Sequence, residues 1–296
     1  MRNFALAVVS VVFVGAMVGW APGGDDHAAP AAGVTPAQAL QQLQIGHARY
    51  LCGKADRPNA DAQRRTETFR GGQHPFATIL TCADSHVPVE VVFDQGVGDL
   101  FVVRVAGNVA TETQAGSIEY AVEHLHTPIV VVMGHRACGA VAAAAGTAEL
   151  PGQLGGLIRT IKPAVEQTQA ANPGLTGDKL IAEAIKTNVW RSVEALISNS
   201  PVISDHVKQG KLSVIGAVYD LESAQISWLG PHPDESRLLS MAPAHGEAHG
   251  DAHGAGHTPA KAHDSKSVGA KGNDKALPPP PTAHGAPAAK PKKDPH

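Results

Sequence analysis

Three short aliphatic runs, 76–81 (FATILT), 99–106 (DLFVVRVA) and 129–133 (IVVVM), constrain this chain most, with one amphipathic stretch, 117–126, between the second and third. Strands with so few polar positions are buried on both faces, and parallel neighbours need a helical crossover between them. The pattern therefore predicts an α/β fold with a mostly parallel central sheet flanked by helices. A long helix is expected over 178–198, where Leu180, Ile181, Ala184, Ile185, Val189, Val193 and Leu196 form one stripe. Two further runs, 212–219 and 225–229, flank a Glu222-Ser223 turn and predict a hairpin at the sheet edge. Ahead of the sheet, Thr35-Pro36 reads as the cap and first residue of an N-terminal helical arm carrying Leu40, Leu43, His47 and Tyr50. A polar, Arg-rich link, 56–72, leads from that arm to the first strand.

The two ends of the 296-residue chain differ from this middle. Arg2 precedes a charge-free run over 5–21, the pattern of a secretory signal, and residues 1–34 are assigned to a signal peptide and short linker. An uncleaved anchor is the competing reading, since the run is close to the ~20 residues a membrane span needs. With the signal removed, the expectation is a periplasmic or secreted protein without stable membrane association. Residues 35–230 are the expected compact domain. Residues 231–296 contain no Phe, Tyr or Trp and are rich in Pro, Gly, Ala, Lys and His, so a disordered tail is expected. His245, His249, His253 and His257 recur every four residues within it. Weak binding of additional divalent ions and a merely solvating role both fit that tract. A formal net charge of −3 with scattered lysines gives no sign of a nucleic-acid partner.

Chemistry-bearing residues gather where strands end. Cys82, Asp84 and His86 follow the first run, and His135 and Cys138 follow the third, in GHRACGA. In an open parallel sheet the carboxyl ends of adjacent strands share one crevice, so two thiolates and an imidazole can meet there as a Cys2His metal set. Three cysteines in an exported chain also permit one disulfide and one free thiol. Cys52, at the end of the first helix, is expected to be a buried thiol rather than a ligand. A hydrolase triad from Asp84, Ser85 and His86 is excluded, because consecutive residues do not place the imidazole between the other two. The glycines of DQGVGD lack the spacing and setting of a dinucleotide loop.

Cys82-Ala83-Asp84-Ser85 and His135-Arg136-Ala137-Cys138 resemble the two signatures of the β-class carbonic anhydrases, Cys-x-Asp-Ser-Arg and His-x-x-Cys. FDQGVGDLFVVRVAGN and GSIEYAVEHL between them are also similar to that family, and the resemblance runs over 73–143 and more weakly to 229. It implies one zinc per chain on Cys82, His135 and Cys138, with Asp84 either a fourth ligand or withdrawn to admit water. It further implies a pocket glutamine at Gln73, a substrate-facing backbone N–H at Gly139, and reversible hydration of carbon dioxide to bicarbonate. A homodimer or homotetramer is implied as well, with the N-terminal helix wrapping a partner. Hydrolysis of carbonyl sulfide or carbon disulfide on the same scaffold, and a non-catalytic envelope zinc-binding protein, are the alternatives.

Two positions depart from the family pattern. His86 stands where the family has the Arg that pairs with the Asp, so Asp84 is expected to be held less firmly, and His86 is also a candidate proton carrier. The residues matching the inhibitory bicarbonate site are Ile79, Arg104 and Tyr219 rather than Trp, Arg and Tyr, so that site is not expected.

Overall fold

Thr35 accepts a hydrogen bond from the Gln38 backbone N–H while Gln38 Oε1 accepts from the Thr35 N–H, and this reciprocal cap starts helix α1 (Pro36–Leu51) with proline at its first position. The computed structural model describes residues 33–148 and 150–243. The signal segment and His245, His249, His253 and His257 lie outside the described residues. Helix α2 (Ala62–Gly71) follows, then β1 (Ala77–Thr81), α3 (Val89–Val92), β2 (Leu100–Arg104), α4 (Glu112–Glu123), β3 (Ile129–His135), α5 (Gly139–Ala145), α6 (Gln153–Ala171), α7 (Gly177–Asn199), α8 (Pro201–Lys208), β4 (Ser213–Tyr219), β5 (Ile226–Pro231) and α9 (Glu235–Met241).

The five strands form one sheet in the order β2-β1-β3-β4-β5. The first three pairings are parallel, and β5 closes the edge antiparallel to β4. Every residue of β1 and β3 is buried, as strands covered on both faces require. On one face α1 and α3 pack Leu43, Val89, Val92 and Phe93 against Ile79, Val131 and Met133. On the other, α7 packs Val189, Val193 and Leu196 against Leu80, Val130, Val132 and Val214. Because β1 connects to β2 on one side while β3 lies on the other, the chain reverses its direction of progress between β1 and β3. In open α/β sheets the carboxyl ends of the strands at such a point are where ligand sites are built.

Close approach holds the arm in place. A side chain at Gly46 would bring its Cβ within 1.9 Å of the Phe93 carbonyl oxygen, so only glycine lets α1 lie this near α3. Beside it, Asp94 accepts from Arg49 Nε at 2.5 Å and from the backbone N–H groups of Asp56 and Arg57 at 3.0 and 2.9 Å. That carboxylate ties the arm, the following loop and the end of α3 together.

Four expectations need correction. The Arg-rich link contains α2, which is capped by Asp61 and buries none of its residues. Helix α4 starts at Glu112, several residues before the expected 117. Cys52 is exposed, because it sits one residue past α1 on a turn that nothing covers. The ordered domain continues past residue 230: β5 runs to Pro231, and α9 buries Leu238 with α7 residues in the second core cluster. Cutting the chain after residue 230 is therefore expected to cost about 2–5 kcal/mol through loss of Leu238, whereas cutting after 243 leaves thermal stability unchanged. Calorimetry of the two truncations checks this. Equal melting temperatures would show that α9 adds nothing.

Candidate metal centre

Cys82 directly follows β1, His135 is the last residue of β3, and the two strands are hydrogen-bonded neighbours with Thr81 opposite Met133. The turn after β3 passes through Ala137 at φ 57 and returns Cys138 as the residue before α5. Three donor atoms, the Cys82 and Cys138 sulfurs and a ring nitrogen of His135, thus converge within 4.8 Å of one another, all buried. The two sulfurs are 4.0 Å apart, and both cysteines are free. A disulfide needs ~2.0 Å, whereas two thiolates on a tetrahedral zinc lie about 3.8 Å apart, given Zn–S bonds of ~2.3 Å.

His135 Nδ1 donates to the Arg136 carbonyl at 2.9 Å, which leaves the lone pair on Nε2. That Nε2 is buried without a hydrogen-bond partner. An orphaned buried lone pair facing two sulfurs is costly unless a cation occupies the space between them. The donor set therefore fits zinc. One of its charges, on Cys82, is favoured by the surroundings. The Cys138 thiol donates to Cys82 and holds the Cys82 thiol down to about 4 against the opposing effect of burial, with His135 and the Gly107 N–H adding to the shift. Cys138 is pushed up, because Cys82 takes the negative charge first. Burial works to lower the His135 value, but the neighbouring Cys82 thiolate outweighs it and raises it.

Asp84 stands at the rim. Its Oδ1 accepts from both the backbone N–H and Nδ1 of His86, at 2.9 and 2.8 Å, and its Oδ2 is 3.8 Å from His135 Nε2. The His86 N–H, more than any other group, holds the Asp84 carboxyl below the usual range, with burial opposing and the imidazole assisting. Arg104 does not pair with this carboxylate. It donates instead to the backbone carbonyls of Cys82 and Asp84, at 3.1 and 2.6 Å, and so fixes the loop that carries them. Gly139 opens α5 and is exposed, with nothing within 4 Å of where its Cβ would be. Of the sequence-predicted residues, the structure brings Cys82, Asp84, His135 and Cys138 together, with His86 on Asp84. Gln73 is different: it is exposed ahead of the amino end of β1, at the other end of that strand from Cys82. Ile79 is buried in the sheet, and the Tyr219 hydroxyl lies 3.4 Å from that of Tyr50.

Residues 77–226 match the family model described as carbonic anhydrase. The chain belongs to the β-carbonic anhydrase family. Carbonic anhydrase 2 of Mycobacterium tuberculosis is 36% identical over 190 residues, covering 64% of this chain and 91% of that protein. The carbonic anhydrase of Mycolicibacterium smegmatis is 34% identical over 195 residues, covering 64% and 92%. Among solved structures, a β-carbonic anhydrase of Aspergillus fumigatus superposes with a TM-score of 0.55 at 28% identity, covering 70% of this chain and 98% of its own. One from Sordaria macrospora, described as tetrameric, has the same fold, with a TM-score of 0.53 at 24% identity, covering 66% and 95%.

The family's carboxylate partner is an arginine, and His86 supplies both its hydrogen bonds to a single oxygen of Asp84. Oδ2 is thus left facing the metal-ligand set. Replacing His86 with Arg adds a second donor for that oxygen. Hydration by His86→Arg is expected to rise a few-fold, since one charge-assisted hydrogen bond shifts the carboxylate's position by about 1 kcal/mol. Stopped-flow rates at matched zinc content check this, and an unchanged rate would show that Oδ2 is already restrained.

Proposed function

We infer that this protein catalyses zinc-dependent, reversible hydration of carbon dioxide to bicarbonate and a proton. The observation that carries the reading is the unpartnered, buried Nε2 of His135 set against two free buried sulfurs at the carboxyl ends of β1 and β3. Cys82, His135 and Cys138 would hold a zinc ion, whose chemistry there would be the activation of water toward carbon dioxide. The chain's own residues do the rest. Asp84, anchored through Oδ1 to His86 and with Oδ2 beside His135, governs access to the ligand set. Gly139, exposed and without a side chain, leaves room for a small triatomic substrate and presents its backbone N–H. His86, with its side chain 74% exposed, is placed to pass a proton from the rim to solvent.

Gln73 can join this pocket only from a second copy of the chain, since its own β1 separates it from the metal ligands. Phe69, 88% exposed on α2 a few residues earlier, provides apolar surface for such a contact. The tetrameric relative supports the same assembly. Export to the periplasm or beyond, and weak extra divalent ions at His245, His249, His253 and His257, rest on the sequence of the two ends.

Stopped-flow hydration by the purified zinc protein, alongside carbonyl sulfide and carbon disulfide hydrolysis, tests the reading. Hydration is expected to dominate by orders of magnitude. A zinc-loaded protein inert toward carbon dioxide but active on either sulfur compound would move the function to the sister chemistry, and one inert toward all three would leave a zinc-binding protein.

A further inference from the structure

Helix α7 carries two polar residues within its buried face. Asn188 is 2% exposed and Ser192 4% exposed, one turn apart among Ile185, Val189, Val193 and Leu196. Neither points to solvent, and both spend their donors on one short segment. Asn188 Nδ2 donates to the Gly107 carbonyl at 2.6 Å, and Ser192 Oγ donates to the Asn108 carbonyl at 3.0 Å. Gly107 in turn donates its backbone N–H to the sulfur of Cys82 at 3.3 Å.

The segment needs such a clamp. Gly107 and Asn108 both have left-handed backbones, at φ 75 and 44, and a side chain at Gly107 would place its Cβ within 2.4 Å of Ile161. From the sheet side the segment is held by the Val105 N–H on the Thr81 carbonyl and by the Ala83 N–H on the Val105 carbonyl. From the helix side Asn188 and Ser192 hold it. Val189 and Ile185, on the same face of α7, pack beneath Gly134, the residue before His135. One helix face therefore supports both the loop that hydrogen-bonds one metal ligand and the strand end that carries another.

We propose that Asn188, assisted by Ser192, is a positioning residue for the metal centre: it sets the Gly107 N–H on the Cys82 sulfur and so tunes how strongly that thiolate binds zinc. An N–H donor withdraws electron density from a thiolate ligand, and outer partners of this kind orient the ligand as well. The proposal rests on the zinc reading of the centre.

The test uses the full-length protein and the variants Asn188→Ala and Ser192→Ala, with Val193→Ala on the same buried stripe as a control for general destabilisation. Three readouts are taken: zinc affinity by chelator competition, the sulfur-to-metal charge-transfer band of the cobalt-substituted protein, and amide hydrogen exchange at Gly107 in metal-free protein. Asn188→Ala is expected to weaken zinc binding by about 10–100-fold, move the band to lower energy and speed Gly107 exchange at least about tenfold, with Ser192→Ala shifting each in the same direction by less. Val193→Ala should lower the melting temperature while leaving the band in place. If Asn188→Ala does not fold, Ser192→Ala carries the test alone. Wild-type band position and affinity in the folded Asn188 and Ser192 variants would overturn the proposal. A wild-type protein that binds no zinc through cysteine would instead overturn the zinc reading on which it rests.

Discussion

Alanine at Cys82, His135 or Cys138 is expected to remove the zinc and take hydration down at least about 100-fold, because loss of an outer-sphere partner alone costs 10–100-fold and these are the ligands themselves. The three variants should be alike in effect, since each leaves two protein donors on a cation that needs three. They should differ in stability. His135→Ala opens a cavity at a fully buried position, whereas the two cysteine changes remove only a sulfur each. Metal analysis and stopped-flow hydration on the same preparations check both statements. A variant that kept one tightly held zinc and full activity would remove that residue from the ligand set.

The second large effect is expected far from the metal. Asp94→Asn keeps the side-chain shape and the left-handed backbone at φ 48, yet removes the charge that receives Arg49, Asp56 and Arg57. A buried carboxylate with that many donors makes the loss about 3 kcal/mol at neutral pH. The pH dependence has a definite sign. Burial acts to raise the Asp94 value, but the Arg49 guanidinium and the two backbone N–H groups outweigh it and hold the carboxyl below the usual range. A carboxylate depressed in the folded state stabilises the fold fully above its unfolded value of ~3.9, and that stabilisation is lost as pH falls through the lower folded value. The gap between wild type and Asp94→Asn in denaturant melts should therefore close in acid. A deficit of equal size at neutral and strongly acidic pH would show that the charge is not what holds the arm.

What could be read from the sequence followed what a local pattern can carry. The strands β1 and β3 were legible because both of their faces are covered, so their residues are mostly aliphatic, and the edge strand β2 was legible from its apolar run 100–103 although it is only partly buried. Helix α7 announced itself through a long apolar stripe. Helix α2 did not, since it buries no residue and its single large apolar side chain, Phe69, faces outward. Helix α6 was hidden by Gly155, Gly156 and Pro163, although Ile158, Ile161, Ala164 and Val165 form a buried face. Helix α9 lies in a stretch whose composition reads as tail, and a single buried leucine anchors it.

The site divides in the same way. Cys82, His135 and Cys138 fall in two short signatures, so their convergence needed only the assumption of adjacent parallel strands. Asp84 and His86 were legible as a pair, and the structure adds that both His86 donors use one carboxylate oxygen. Asn188 and Ser192 had no such signal: within the stripe they look like ordinary polar breaks in a helix face, and their partners are more than eighty residues away along the chain. Gln73 shows the reverse case, a residue named by resemblance that a single chain keeps at the far end of β1.

Zinc K-edge X-ray absorption on the zinc-loaded, full-length protein tests the central claim most directly, because it separates the core site from the histidines of the tail. The expected spectrum has two sulfur scatterers at about 2.3 Å, one imidazole nitrogen at about 2.0–2.1 Å, and one further light atom. A tightly bound zinc surrounded only by nitrogen and oxygen would contradict the account and place the metal away from Cys82 and Cys138.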